Sequence, residues 1–149
     1  MHRFVELKKS LPVSFLRELR SYLASIYINA GEGAFDSELS DLDRLRQECT
    51  NPSIAPGFIA TLSRYYCQLA DLERRVNLDA ADLKVPFAWY NCSAGDDKKI
   101  LVSSSNIKFE VAAVLFNVAA VNIQLAGMES LTQSEGLKRA CNYYMVRMK

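Results

Sequence analysis

Cys141 and Arg147 are the residues of this chain whose types and spacing come nearest to catalytic chemistry. A cysteine with an arginine six positions later occurs in enzymes that attack phosphate esters through a thiolate. Such a site needs small residues whose amides point inward at a helix N-terminus, because these amides hold the phosphate and lower the thiol pKa. Residues 142–145 are instead bulky and continue a helical pattern. Catalysis at Cys141 is therefore the last-ranked hypothesis, and a half-buried helix cysteine is the favoured interpretation.

The other reactive side chains do not combine into a catalytic or metal site. His2 is the single histidine and lies at the start of the chain, which argues against an imidazole paired with a nucleophile. Asp96 and Asp97 fit a solvated turn better than a carboxylate pair. Four scattered cysteines predict buried thiols rather than a zinc site or a disulfide framework: Cys49, Cys67, Cys92 and Cys141. We expect no catalytic residue, no cofactor and no metal.

The charge balance argues against nucleic acid as a partner. With 18 Lys and Arg against 17 Asp and Glu, the net charge of +1 is too small to gather phosphates.

The first residues alternate charged with apolar side chains and lack the apolar core of a signal peptide, which predicts a cytosolic protein. The most apolar run, residues 111–126, is short and contains several amide side chains. It predicts a buried helix rather than a transmembrane segment.

Helical periodicity predicts three helices in the first half of the chain. The first follows Pro12 and ends before Gly31, with apolar side chains at helical spacing. The second begins near Asp36, whose carboxylate is expected to cap free amides, and ends at Asn51. The third has the clearest apolar stripe, over residues 55–76, with charged residues on its opposite side.

A change of period predicts a small β-sheet after these helices. Residues 85–90 alternate with period two and are rich in aromatic side chains, so we expect a strand that Pro86 restricts to a sheet edge. Residues 99–103 predict a second strand that pairs with it across a turn, and residues 4–7 are a candidate third strand. Two strands alone are marginal in water, so this sheet must pack on helices.

Two further helices are predicted, over residues 108–126 and from Thr132 to the end of the chain. The first of them is apolar or small on nearly every side, which is typical of a helix packed against several neighbours at the centre of a fold. Asn117 lies inside this apolar helix. An unpaired buried amide costs about 1–3 kcal/mol, so we expect Asn117 to bind a neighbouring backbone.

A set of short segments in a fixed order is the most informative feature of the sequence. It consists of DRLRQ at 43–47, YY at 65–66, FAWY at 87–90, IKFE at 107–110, VLFNVAA at 114–120, QLA at 124–126 and SEGLK at 134–138. This set resembles the BRO-domain family, the ESCRT-associated proteins of the Alix, HD-PTP and PalA type, over essentially the whole chain. The motif residues themselves are interpreted as architecture rather than as a site.

The resemblance implies a mainly α fold, a helical scaffold with a small antiparallel β-sheet packed near its N-terminal half. It implies that residues 1–149 are the N-terminal part of a BRO domain, which in this family is more than twice as long, so the chain is expected to be truncated. The implied function is a non-enzymatic interaction scaffold in endosomal sorting and multivesicular body formation. The alternatives are a fragment without binding of its own, or an adaptor in a pH-signalling branch.

The resemblance also implies a partner and its contact residues. The apolar groove of a BRO domain accepts the C-terminal amphipathic helix of an ESCRT-III subunit of the Snf-seven type. Leu137 falls where the family contributes an early apolar residue to that groove, and Cys141 shares its helix face one turn later. A core position for Leu137 is the open alternative. The protein is expected to be cytoplasmic and endosome-associated, with peripheral rather than transmembrane contact to the membrane.

Overall fold

The computed structural model describes residues 5–78, 84–91 and 100–145, and its described part is mainly helical with one small antiparallel sheet. This confirms the predicted fold class. The elements in chain order are α1 (Phe15–Ile26), a short 3₁₀ turn (Ile28–Ala30), α2 (Asp36–Cys49), α3 (Pro56–Arg75), β1 (Phe87–Tyr90), β2 (Leu101–Ser104), α4 (Ile107–Met128) and α5 (Ser134–Tyr144).

The start of α2 differs from the prediction. Asp36 is the first helical residue rather than the cap, and the capping position is taken by Phe35, whose side chain makes no capping hydrogen bond. The Asp36 carboxylate instead pairs with Arg20 of α1 at 3.0 Å. The predicted cap is therefore wrong, because a neighbouring guanidinium binds this carboxylate, although a negative charge in the first turn still suits the helix dipole.

The N-terminus of α1 is capped twice. Ser14 accepts a hydrogen bond from the Arg17 amide within the same segment. Asp43 of α2 then reaches across, accepting from the Phe15 amide through Oδ1 and from the Ser14 hydroxyl through Oδ2 at 2.9 Å. An acidic residue of one helix thus satisfies the free amides of another, which fixes α1 against α2.

The sheet consists of β1 and β2 in antiparallel register, with Trp89 opposite Val102. Pro86 immediately precedes β1, which is an edge strand of this two-stranded sheet, as predicted. On its other side β1 bonds to residues 9–11: the Tyr90 amide donates to the Lys9 carbonyl at 2.8 Å, and the Leu11 amide donates to the Ala88 carbonyl at 3.1 Å.

The predicted third strand is wrong in position. The described residues before Ser10 form no strand, and the pairing with β1 is a single bridge at Ser10, while Phe4 lies outside the described residues.

We call residues 5–11 the N-terminal strap. It lies against α4, where Asn117 accepts from the Lys8 amide at 2.7 Å and donates to the Lys8 carbonyl at 2.9 Å. Gln124 adds a bond to the Val5 carbonyl at 2.7 Å. The expected backbone partner of Asn117 is thus confirmed.

Helix α4 occupies the centre of the fold, as predicted, and packs against α3, α5 and β1. Its buried residues lie on several sides of the helix and include Ala113, Val114, Val118 and Val121. By length and composition α4 alone, among the described helices, is apolar enough to cross a membrane, and half of the qualifying window is buried inside the protein. The burial, together with the interior Glu110, identifies α4 as the core helix.

Candidate partner-binding surface

A buried polar cluster beneath the sheet holds the elements in place. Glu110, in the first turn of α4, is completely buried and accepts three hydrogen bonds. The donors are Tyr65 Oη of α3 at 2.7 Å, Arg46 Nε of α2 at 2.8 Å and Trp89 Nε1 of β1 at 2.6 Å. One carboxylate therefore joins two helices and a strand to α4. A buried charge is tolerated because it is both paired and fully hydrogen-bonded.

Arg46 extends this cluster to the N-terminal strap. Its remaining guanidinium nitrogens donate to the Leu11 carbonyl at 2.9 Å and to Ser10 Oγ at 2.7 Å. The Ser10 hydroxyl in turn donates to the Ala88 carbonyl of β1 at 2.7 Å. The planar fork of an arginine suits such a junction, because it presents several donors in a fixed geometry.

Burial near Glu110 raises the pKa of two neighbouring side chains. Desolvation, and after it the negative charge of Glu110, raise the pKa of the Cys49 thiol from 9.0 to about 12. The same two causes raise the pKa of Tyr65 well above its ordinary value. Both groups therefore stay neutral at physiological pH. Neither is a poised acid or base, and the cluster is suited to structure rather than catalysis.

Helix α5 presents a narrow buried side and a wide exposed one. Gly136 and Ala140 are its buried residues. A Cβ on Gly136 would clash with the Ser130 carbonyl oxygen, so the absence of a side chain allows the α4–α5 connection to pass directly against the helix. The small residues bring α5 close to its neighbour, and Tyr143 is the one larger apolar side chain of α5 that packs against the core.

Leu137 and Cys141, the predicted contact residues, both lie on the exposed side of α5. Leu137 is 49% exposed and therefore does not belong to the core that the described residues form. Cys141 is exposed rather than half-buried. Cys67 is exposed as well, so the prediction of uniformly buried thiols is wrong, while Cys92 lies outside the described residues. Nearby stretches of chain carry more exposed large apolar side chains, namely Met128, Leu131, Tyr144 and Met145.

Charged side chains accompany these apolar ones on and near α5. Lys138 pairs with Glu135 one turn earlier at 2.9 Å, and both side chains remain well exposed. Arg139 pairs with Glu129 of the α4–α5 connection at 2.9 Å. Protein interfaces typically have an apolar centre and a polar rim, and an exposed apolar residue flanked by charged pairs fits this pattern.

The described residues include only one of the candidate catalytic groups, Cys141. Cys141 lies inside α5 rather than in a loop before a helix, so no amides converge on its thiol. Arg147, His2 and the Asp96-Asp97 pair lie outside the described residues. Within the described ranges, no group of three or more His, Cys, Asp or Glu side chains is placed to hold a metal ion.

Comparison with protein families decides the assignment of the chain. The model of the BRO1-like domain matches residues 4–146, nearly the whole sequence. The chain belongs to the BRO1-like domain family. The resemblance predicted from the ordered motifs is thereby confirmed.

Two curated relatives contain a segment similar to this BRO1-like chain within a longer sequence. The pH-response regulator protein palA/RIM20 of Emericella nidulans is 34% identical over 140 residues, which are 94% of this chain and 16% of that protein. Rhophilin-2-A of Xenopus laevis is 31% identical over 134 residues, covering 90% of this chain and 19% of that protein. The chain thus spans less than a fifth of the length of these relatives.

A solved structure of the ALIX BRO1 domain in complex with CHMP4C has the same fold as this BRO1-like chain. The two superpose with a TM-score of 0.85 at 26% identity, over 95% of this chain and 42% of the other. The mainly α architecture with its small sheet is therefore the fold of the corresponding portion of that domain.

The role of Glu110 was missed by sequence reasoning. The residue stood within the motif at 107–110 but could not be matched with Arg46, Tyr65 and Trp89, which lie 64, 45 and 21 positions away. The signal that could have found it is a lone carboxylate opening an otherwise apolar helix, since a buried charge demands partners.

Proposed function

We propose that this BRO1-like chain is part of a non-enzymatic scaffold that recruits an ESCRT-III subunit in endosomal sorting. One observation carries the proposal: Leu137, a large apolar side chain, is 49% exposed on a helix of the same fold as a BRO1 domain that binds CHMP4C. Desolvating such a side chain against a partner is favourable, at about 25 cal/mol for each Å² buried.

The proposed partner is an amphipathic helix from the C-terminal region of the ESCRT-III subunit. Such a helix presents apolar residues at spacings of three and four, which suits a surface where Leu137 and Cys141 are one turn apart. Binding by a helix in a groove needs no catalytic group and no metal. Association with the endosome would follow from the partner and requires no membrane-spanning segment in the recruiting domain.

The test replaces Leu137 with Asp in a protein where the chain continues to the length of a full BRO1 domain. An unpaired carboxylate would then face the apolar stripe of the partner. Loss of a hot-spot residue costs about 2 kcal/mol or more, which is roughly a thirtyfold loss of affinity. Titration calorimetry with the C-terminal helical peptide of a CHMP4-type subunit measures this loss.

The matched control is Asn142→Asp, which adds the same charge to the same helix on a different side of α5. It should bind like the wild type, and circular dichroism should show unchanged helicity in both variants. Unchanged affinity of a folded Leu137→Asp variant removes Leu137 from the interface. Absence of binding by the wild-type protein contradicts the scaffold assignment itself.

A further inference from the structure

The outer edge of β2 offers unpaired backbone groups. The Asn91 amide donates to the Ile100 carbonyl at 2.7 Å, and hydrogen-bonded pairs alternate along an antiparallel ladder. Val102 therefore bonds to Trp89, while the amides and carbonyls of Leu101 and Ser103 point away from β1. In residues 5–78, 84–91 and 100–145 these outward groups have no hydrogen-bond partner. The edge can accept another strand.

The side chains along this edge are apolar and exposed. Ile100 is 62% exposed, Leu101 42% and Val102 43%. Edge strands of monomeric proteins are commonly protected by a charged residue, a proline or a bulge. Residues 100–104 contain no charged residue and no proline, so β2 has the composition of an edge that pairs.

A groove lies between this sheet and α4, which we call the β2–α4 groove. It has a volume of about 380 Å³ and is lined on the apolar side by Val102, Phe109, Ala112 and Phe116. Ala112 of α4 lines the groove with an exposed, small side chain. This volume falls in the range of about 300–1,000 Å³ seen for ligand sites.

Lys8 gives the β2–α4 groove its charge. It is the one charged residue among those that line the groove, and its ammonium lies 4.9 Å from the centre of the Phe116 ring. The Asn117 side chain bonds to both the amide and the carbonyl of Lys8. These two bonds fix the Lys8 backbone and keep its ammonium close to the groove. Lys8 forms no ion pair with any described residue. A carboxylate of a ligand would supply the missing counter-charge.

We propose that an extended, acidic segment of a partner protein binds here as an additional strand. Its backbone pairs with Leu101 and Ser103, its apolar side chains on the α4 side enter the β2–α4 groove, and Lys8 attracts a carboxylate of the segment. Strand addition takes its affinity from main-chain hydrogen bonds and its specificity from the pockets that alternate side chains fill. This surface is formed by elements other than α5, so it is independent of the proposed ESCRT-III contact.

The experiment selects a phage library of random twelve-residue peptides on the immobilised 149-residue chain. We expect enriched peptides to alternate apolar with polar residues and to contain Asp or Glu. Ala112→Trp fills the groove and should weaken the most enriched peptide at least tenfold, as should Lys8→Glu, whose effect should also fade in high salt. Ala119→Trp is the matched control, an exposed alanine on the same helix that does not line the groove. It should bind normally.

Hydrogen exchange distinguishes strand addition from other modes of binding. Bound peptide should slow exchange of the Leu101 and Ser103 amides specifically. Failure to enrich any peptide, equal binding by a folded Ala112→Trp variant, or unprotected Leu101 and Ser103 amides would each overturn the proposal. Self-association of the chain that competes with peptide would show that the edge pairs with a second copy instead, which also overturns it.

Discussion

At the scale of single residues, Glu110 has the most demanding environment in the described structure. It is a fully buried carboxylate shared by a guanidinium, a phenol and an indole. Such a group adds little stability relative to an apolar core. Its removal is nevertheless strongly destabilising, because its buried partners are then left unpaired. The cluster therefore specifies how α2, α3 and β1 meet α4, and any other arrangement leaves a buried charge unpaired.

Replacing Glu110 by Gln should be strongly destabilising. The change leaves the Arg46 guanidinium, itself 1% exposed, without its counter-charge, and breaking a buried pair typically costs about 3–5 kcal/mol. Urea unfolding followed by circular dichroism measures the difference. The control is Glu73→Gln, which removes a carboxylate from the exposed pair with Lys108 and should cost less than about 1 kcal/mol. Similar midpoints for the two variants would show that the cluster does not hold the fold.

The Cys49 thiol should be unreactive at neutral pH, and it should make the free energy of unfolding decrease at alkaline pH. The folded thiol has a pKa of about 12 against 9.0 for the ordinary thiol, so the unfolded chain loses this proton first. The contribution is constant below pH 9 and is lost as pH rises from 9 towards 12, at up to about 1.4 kcal/mol per pH unit.

Two measurements check this prediction for Cys49. Iodoacetamide at pH 8 should modify the exposed Cys67 and Cys141 and spare Cys49, as peptide mass spectrometry would show. A Cys49→Ala variant, although less stable at neutral pH, should lose less stability than the wild type between pH 9 and 10. Parallel pH curves for the two proteins would disprove a raised thiol pKa.

At the scale of elements, the helices were more predictable than the contacts at their ends. Apolar residues that recur at helical spacing located α1 to α5, because each helix buries one side against a neighbour. The Asp36 cap and the position of the third strand were wrong because each depends on a partner distant in sequence, Arg20 in one case and β1 in the other. Local patterns do not record such partners.

Gly136 shows how an element boundary can depend on a missing side chain. Gly136→Ala would place a methyl group against the Ser130 carbonyl, and the overpacking should cost roughly 1–3 kcal/mol. A Cβ added to Gly57, in the first turn of α3, would meet no other group within 4 Å, so Gly57→Ala should be neutral or should stabilise by about 0.4–1 kcal/mol. Urea midpoints of the two variants provide the test. A harmless Gly136→Ala would mean that the α4–α5 connection adapts easily.

At the scale of the whole molecule, the fold class and the family were predictable from sequence, whereas the binding surface was predictable only in part. Ordered motifs indicated the family because they encode the core, as the burial of Trp89 and Glu110 shows. Exposure of Leu137 could not be derived in this way. Whether an apolar residue of an amphipathic helix faces the core or solvent depends on what packs beside it, here the small Gly136 and Ala140.

The 149-residue chain should expose enough apolar surface to associate with itself or with a hydrophobic dye. Met128, Leu131, Leu137 and Met145 are all at least 49% exposed, and grouped exposure of this kind promotes association. Dye fluorescence and sedimentation velocity at several concentrations measure the effect. Leu131→Lys combined with Leu137→Lys should reduce both signals. A monomer that binds no dye and unfolds in one sharp transition would contradict the prediction.

The N-terminal strap also sets a constraint on the order of events during synthesis. Its partners Asn117 and Gln124 follow 109 and 119 positions later. Residues 5–8 therefore lack these side-chain amides until most of the chain has emerged, whereas Ser10 and Leu11 can bind Arg46 of α2 much earlier. Closure of so long a loop is slow. Residues 5–8 of the strap are thus expected to pack last in the nascent protein and to stay available to a chaperone until then.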